Sequence, residues 1–181
     1  MPAHATSESA VRYRVTACSL DTLLVAASAT GAVAAIMSDD TESAIRELHE
    51  SYPDATPAED ETLVDWATRL ATLIDDPSNT PRLPLDPAGT PFRLRVWAKL
   101  RQIPAGTTIT YSELARRCGC PEAVRAVASA CAANPIAVAI PCHRVVRSDG
   151  SLSGYRWGLA RKRALLDREA RSETYLPGLS L

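Results

Sequence analysis

The sequence predicts an α+β protein made of a small N-terminal α/β domain, residues 1–87, and a C-terminal domain, residues 88–181, that holds a helix-turn-helix. Three observations carry this prediction. Segments rich in Val, Ala and Thr fill the first forty residues, and helical periodicity dominates after residue 90. A passage with prolines at 77, 81, 84, 87 and 91 separates the two. Charge divides at the same place. Residues 1–90 carry 5 Lys+Arg against 15 Asp+Glu, a balance of −10, and residues 91–172 carry 15 against 5, a balance of +10. Such segregation gives the two parts different tasks, with the basic one facing a polyanion. The plainer alternative is two solvated faces that happen to differ in charge.

Val11–Cys18 and Leu23–Met37 read as antiparallel strands with a turn near Ala29–Gly31. Thr41–Tyr52 and Asp60–Ile74 read as helices. In the second, Leu63, Val64, Ala67, Leu70, Ala71 and Ile74 share a face. Arg82–Leu85 is a candidate further strand inside the proline-rich linker. Thr90-Pro91 supplies an N-cap and a proline at the first helical position, and Phe92, Val96 and Leu100 recur every four residues. Thr110-Tyr111-Ser112-Glu113 fits a capping box for a helix through Arg117. Gly119 and Cys120 turn the chain, and Pro121 starts a helix to about Ala133, which completes the helix-turn-helix candidate. Asp149-Gly150 marks a hairpin turn. A last helix covers Leu159–Ala170, and Thr174–Leu181 is expected to fray.

No apolar run approaches the ~18–20 residues that span a membrane. Met1–Ala10 has neither a basic start nor a hydrophobic segment, so no secretory signal is expected. Five cysteines without regular spacing fit reduced thiols in a cytoplasm better than a disulfide framework. Cys118 and Cys120 form a CxC pair, but two thiols without a nearby third ligand make a poor zinc site.

The most informative stretch is Ile140-Pro141-Cys142-His143-Arg144. A free thiol has a pKa near ~8.5 and needs a group that takes or balances its proton to become a nucleophile. Side chains adjacent on a strand point to opposite faces, so His143 would reach Cys142 through a water. The helix before this stretch is almost all Ala, Val and Ser, with Arg125 as the one charge in its interior. Small residues allow close approach to a partner or tight packing in a core, and Arg125 by itself is compatible with a solvated charge. Tyr111 and Tyr155 read equally as pocket or core residues, Glu169 reads as a surface position, and Asn134 reads as a C-cap.

Three segments resemble one family. Asn134–Val146, with its Pro-Cys-His-Arg-Val run, is similar to the active-site signature of the O6-alkylguanine-DNA alkyltransferases. Ala123–Asn134 looks like their DNA-recognition helix, and Leu152–Gly158 like their substrate-pocket loop. The resemblance covers roughly residues 11–170 and is strong from 91. It implies an RNase H-like first domain and a winged helix-turn-helix second domain. It also implies a monomer that transfers an alkyl group from O6-alkylguanine, and from O4-methylthymine, in double-stranded DNA to Cys142, once and irreversibly. No cofactor, metal or membrane is implied, and the location is cytoplasmic. Cys142 would be the nucleophile, His143 the general base, Glu169 the group that orients it, and Tyr111 the donor to the departing guanine. Arg125 would enter the base stack where the damaged base is extruded, with Ala123 and Ala126 against the DNA. Asn134 would hinge the helix to the cysteine loop. Tyr155, Ser153 and Arg156, with Trp157, would shape the pocket, and Lys162 and Arg163 would hold phosphates or reach its rim. A damage sensor without an acceptor thiol, a winged-helix regulator and a Cys-His hydrolase are the competing classes. The presence of Cys142 disfavours the first, and no oxyanion-hole motif supports the last.

Overall fold

The computed structural model describes residues 10–79 and 82–174 of the 181-residue chain. Most of the N-terminal stretch read as lacking a signal, and the tail beyond Thr174, lie outside the described residues. The architecture is α+β. Strands β1 (Arg12–Cys18), β2 (Asp21–Ala27) and β3 (Ala32–Ser38) form an antiparallel meander, followed by helix α1 (Thr41–Ser51). A short strand β4 (Thr56–Pro57) returns parallel to β1, giving the order β3-β2-β1-β4. Helix α2 (Glu61–Asp75) then packs on β1 and β2.

Local chemistry explains these elements. The β1–β2 loop is only Ser19-Leu20, and Asp21 closes it with φ +79°, a left-handed conformation that Asp tolerates. Between β2 and β3, Ser28 N–H donates to the Gly31 carbonyl at 2.9 Å. Leu23–Ala27 and Ala32–Met37 are buried without alternation, which requires cover on both faces of the sheet. Asp40 and Asp60 cap α1 and α2, accepting from Ser43 N–H and Leu63 N–H at 2.7 and 3.1 Å.

The proline-rich passage differs from expectation. Arg82–Leu85 is not a strand, and a single parallel bridge joins Leu85 to Ala32. Pro84 and Pro87 have no N–H to continue a ladder. The passage is nevertheless docked along β3. Ala32 N–H donates to the Pro84 carbonyl at 2.9 Å, and Asp86 N–H donates to the Ala32 carbonyl at 2.8 Å. Gly31 is required there, because a Cβ would stand 2.8 Å from the Pro84 oxygen.

After it come helix α3 (Pro91–Leu100), strand β5 (Ile109–Thr110), helix α4 (Tyr111–Arg117), helix α5 (Val124–Ala132), strand β6 (Val145–Val146) and helix α6 (Leu159–Thr174). Thr90 caps α3 as expected. Trp97, outside the anticipated stripe, is buried and donates from Nε1 to the Ala130 carbonyl at 2.8 Å, tying α3 to α5. Thr110 Oγ1 accepts from Glu113 N–H at 3.1 Å. The reciprocal half of the capping box is not made, because the Glu113 carboxylate pairs with Arg116 and Arg117 at 2.6 and 2.9 Å. Helix α5 starts at Val124, not Pro121. Gly119, at φ +72°, lets Cys120 N–H reach the Ala115 carbonyl at 3.0 Å, so Pro121 and Glu122 are used in a further turn. Helix α6 runs four residues past the expected Ala170. Among the described residues no helix is long and apolar enough to cross a membrane.

The sheet also holds the loop that precedes Cys142. Ala35 N–H donates to the Pro135 carbonyl, and Ala137 N–H donates to the Ala35 carbonyl, both at 2.9 Å. One apolar core runs from the sheet through Ile136 and Ile140 to Leu114 and Val127.

Candidate functional site

Helix α5 ends at Ala132 with Ala133 as its C-cap, so Asn134, expected to be the cap, stands one residue past it. It is fully buried. Its Oδ1 accepts from Ile136 N–H at 2.9 Å, and its Nδ2 donates to the Ile140 carbonyl at 2.7 Å and to Cys142 Sγ at 3.2 Å. One amide therefore shapes the loop and fixes the sulfur. Within that loop Val138 has φ +66°, a genuine outlier for a β-branched residue. Cys142–Arg144 form one 3-10 turn after Pro141, not a strand. The strand argument for opposed side chains accordingly does not apply to Cys142 and His143.

Cys142 is 5% exposed. Burial pushes its thiol above the ordinary value, against the Asn134 hydrogen bond and the charges of Lys162 and Arg156, so the resting form is the neutral thiol. His143 is completely buried, and burial pulls its pKa down against the hydrogen bond and charge of Glu169. Its Nε2 lies 2.7 Å from Glu169 Oε1. Glu169 is 3% exposed, not the surface residue that α6 alone suggested. Burial favours its neutral form, but hydrogen bonds from His143 and Arg144 outweigh this and hold the carboxyl at about 2. An ionised carboxylate only accepts, so Nε2 carries the imidazole proton and Nδ1 presents its lone pair. Nδ1 is buried and has no hydrogen-bond partner among the described residues.

Arg144 completes this arrangement, and sequence reasoning gave it no role. Its Nε donates to both Glu169 oxygens at 3.0 Å, Nη2 donates to Oε1 at 2.8 Å, and Nη1 donates to the Ile103 carbonyl at 2.5 Å. Gly106 N–H donates to Glu169 Oε2 at 3.1 Å. The available signal was its position inside the Pro-Cys-His-Arg run.

A cleft of ≈ 540 Å³, within the size range of small-molecule sites, is walled by residues near Cys142: Tyr111 and Tyr155 feel the charge of its thiolate, and Arg156 Nη1 donates to the Asn134 carbonyl at 3.4 Å. Val124, Arg125, Ala128 and Ala132 of α5 form one wall, and Tyr111, Arg147 and Ser153–Arg156 form the other. Ser153 Oγ donates to the Tyr111 hydroxyl at 2.9 Å, and burial raises the Tyr111 pKa. The Tyr155 hydroxyl is buried without a partner among the described residues, and its ring stands edge-on to Trp157 at 5.3 Å. Arg125 and Ala126 are exposed, and Ala123 is half-buried at the start of α5. Arg147 was not anticipated as a wall residue.

Lys162 departs most from expectation. It is fully buried, with Nζ donating to the Val145 carbonyl at 2.7 Å and the Ser153 carbonyl at 3.2 Å. Its Nζ is thus engaged by two carbonyls and ties the pocket loop to β6, an arrangement nearer the expected approach to the pocket rim than a phosphate contact. Burial lowers its pKa. Arg163 is exposed. Cys118 is buried in the core, and Cys120 is partly covered.

A family model for the DNA-binding domain of 6-O-methylguanine DNA methyltransferase matches residues 91–171. The crystal structure of Mycobacterium tuberculosis OGT in complex with DNA superposes with a TM-score of 0.76 at 34% identity, covering 89% of this chain and 94% of that one. This chain belongs to the O6-methylguanine-DNA methyltransferase family. Within that family, the bifunctional transcriptional activator/DNA repair enzyme Ada of Escherichia coli is 48% identical over 171 residues. The match takes in 94% of this chain but 48% of that protein, so the chain spans about half the length of this relative. The inducible methylated-DNA–protein-cysteine methyltransferase of Bacillus subtilis is 40% identical over 116 residues, 64% of this chain and 65% of that protein. The matched residues 91–171 include the buried Cys142 and His143 and every residue that lines the ≈ 540 Å³ cleft.

Proposed function

We propose that this chain repairs DNA by direct reversal, taking an alkyl group from O6-alkylguanine in double-stranded DNA onto Cys142 Sγ. The observation that carries this reading is the buried network of Cys142, His143, Glu169 and Arg144 beside a cleft walled by α5, Tyr111 and Tyr155. Sγ attacks the alkyl carbon, the S–C bond forms, and the bond from carbon to O6 breaks. The thiol proton passes to His143 Nδ1, through a water, while Glu169 holds the ring and balances the imidazolium. Tyr111 donates a hydrogen bond from its hydroxyl to the departing guanine, a contribution of general-acid type, and the proton that His143 took from the thiol returns through solvent to the guanine, so neither side chain is left changed. A thioether is stable, so each molecule reacts once. O4-methylthymine is a second substrate.

Extruding the base costs a few kcal/mol, and exposed Arg125 at the cleft rim fills the gap left in the stack. Ala123 and Ala126 allow α5 to approach the DNA closely. Asn134 couples α5 to the cysteine loop, and Tyr155, Ser153 and Arg156 hold the extruded base. In this reading residues 1–87 are an RNase H-like domain, and residues 88–181 are a winged helix-turn-helix. The order β3-β2-β1-β4 supports the first. The helices α4 and α5 with the β5–β6 pair support the second. The chain acts as a cytoplasmic monomer without cofactor or metal.

Intact-protein mass spectrometry after incubation with an O6-methylguanine duplex tests the reading. A stoichiometric gain of about one methyl group (~14 Da), absent in Cys142→Ser, is expected. No gain, with DNA binding intact, would leave a sensor or regulator and make Cys142 a structural thiol.

A further inference from the structure

The cleft wall is irregular backbone. Residues 151–155 have no helix or strand, yet they and the two residues that follow carry Ser153, Tyr155, Arg156 and Trp157. Such a segment keeps its shape only through side chains that reach it from packed elements. From its own half, Lys162 and Tyr111 hold Ser153. From residues 10–79 one ion pair reaches it. Glu47 on α1 lies 2.8 Å from Arg156 Nε, with the side chains 28% and 32% exposed. Among the described residues the other ion pairs that join the two halves, Asp21 and Asp39 with Arg161 and Asp75 with Arg168, end on α6, and of these Arg161 touches the segment only at its end, where Nη1 donates to the Trp157 carbonyl at 3.0 Å.

Arg156 is also a partition. It lines the ≈ 540 Å³ cleft on one side and, with Glu47, a second cleft of ≈ 280 Å³ on the other. Its guanidinium lies 5.8 Å over the Trp157 ring, and Nη1 donates to the Asn134 carbonyl at 3.4 Å. The pair with Glu47 therefore sets which of the two spaces the guanidinium occupies, and with it the position of Trp157 and of the wall. We infer that Glu47, a residue of the acidic half, is a positioning residue that fixes the width of the base cleft by holding Arg156, and so sets the size of alkyl group the site accepts.

This inference rests on the alkyl-acceptor reading above. The test measures single-turnover alkylation by intact mass with two probes, an O6-methylguanine duplex and free O6-benzylguanine, in wild type, Glu47→Gln, Arg156→Gln and the double variant. Glu47→Gln should slow methyl transfer about three- to fivefold, the scale of a partly exposed ion pair, and raise the benzyl-to-methyl rate ratio. In the Arg156→Gln background the same change should have no further effect, because its target is gone. Amide exchange should quicken in residues 151–158 and stay unchanged in β1–β3. An unaltered benzyl-to-methyl ratio, or an equal loss in both backgrounds, overturns the proposal. A wild-type chain that gains no alkyl mass overturns the acceptor reading itself and the proposal with it.

Discussion

The strand pair β2–β3 and the loop from Asn134 to Arg144 are both largely buried, and they are held in opposite ways. The sheet satisfies its backbone through ladder hydrogen bonds and fills its surroundings with Leu, Val and Ala. The loop has no ladder beyond one bridge to Ala35, so single side chains serve several polar groups at once. Asn134 serves three, and Glu169 serves His143, Arg144 and Gly106. A ladder shares its load over many equivalent bonds, whereas a hub fails when one atom changes. The lesson is that in this molecule redundancy belongs to the sheet and chemistry to the loop. A narrower comparison agrees. Cys131 and Cys142 are both buried, and burial raises both thiols. Only Cys142 has an amide donor on its sulfur.

The sharpest way to break the contrast is Glu169→Gln. It leaves the Arg144 guanidinium buried without its anion, which costs about 3–5 kcal/mol. It also removes the charge that balances the His143 imidazolium, and an amide can turn either its oxygen or its NH2 toward Nε2 and so no longer fixes the tautomer, so alkyl transfer should fall by at least ~10²-fold in molecules that remain folded. Urea unfolding and single-turnover kinetics measure the two effects. Equal stability in the variant would mean that the hub does not hold the loop.

Leu24→Ala probes the other region. Leu24 is fully buried in β2, and truncation should cost about 2–5 kcal/mol through lost burial and a cavity. The rate per folded molecule should stay within about twofold of wild type, because losing three side-chain carbons leaves the backbone ladder of β2 intact and does not reach Cys142. A large rate loss would show that the sheet transmits to the site more than its bridge to the loop suggests.

The smallest effect is graded by pH. Glu169 has a folded pKa of about 2, below its ordinary 4.5. Its stabilising contribution is complete above the ordinary value and is lost as pH falls through about 2. His143 is also depressed, so the unfolded chain gains a proton first, and stability begins to fall below about pH 6.5. Melting temperature should therefore decline from near neutrality toward pH 2, with a shallower slope in Glu169→Gln. Neutral His143 should keep the transfer rate flat below pH 6.5, where an ordinary histidine base would already have titrated. A rate that drops with a midpoint at or above 6.5 would remove His143 from the base role.

Among the described residues the ion pairs that join the two oppositely charged halves all run in the same sense. Glu47, Asp21, Asp39 and Asp75 supply the carboxylates, and Arg156, Arg161 and Arg168 supply the guanidiniums. Part of the charge separation visible along the chain is thus used internally, and the exposed arginines around α5 remain for an external anion.

The sequence by itself determined the elements whose causes are local. The meander, α1, α2, the Thr90 and Thr110 caps and the Cys142-His143 pair all follow from apolar period, turn residues and adjacent side chains, which need no distant partner. Only the tertiary structure decided the burial of Lys162 and Glu169, the role of Arg144, the docking of the proline passage on β3 and the pairing of Glu47 with Arg156. Each of these depends on a group brought from a distant segment, such as the Ser153 carbonyl beneath Lys162 or the Ala32 N–H that captures Pro84. A charged or proline-rich stretch reads as solvated until the fold supplies the partner that makes burial cheaper than hydration.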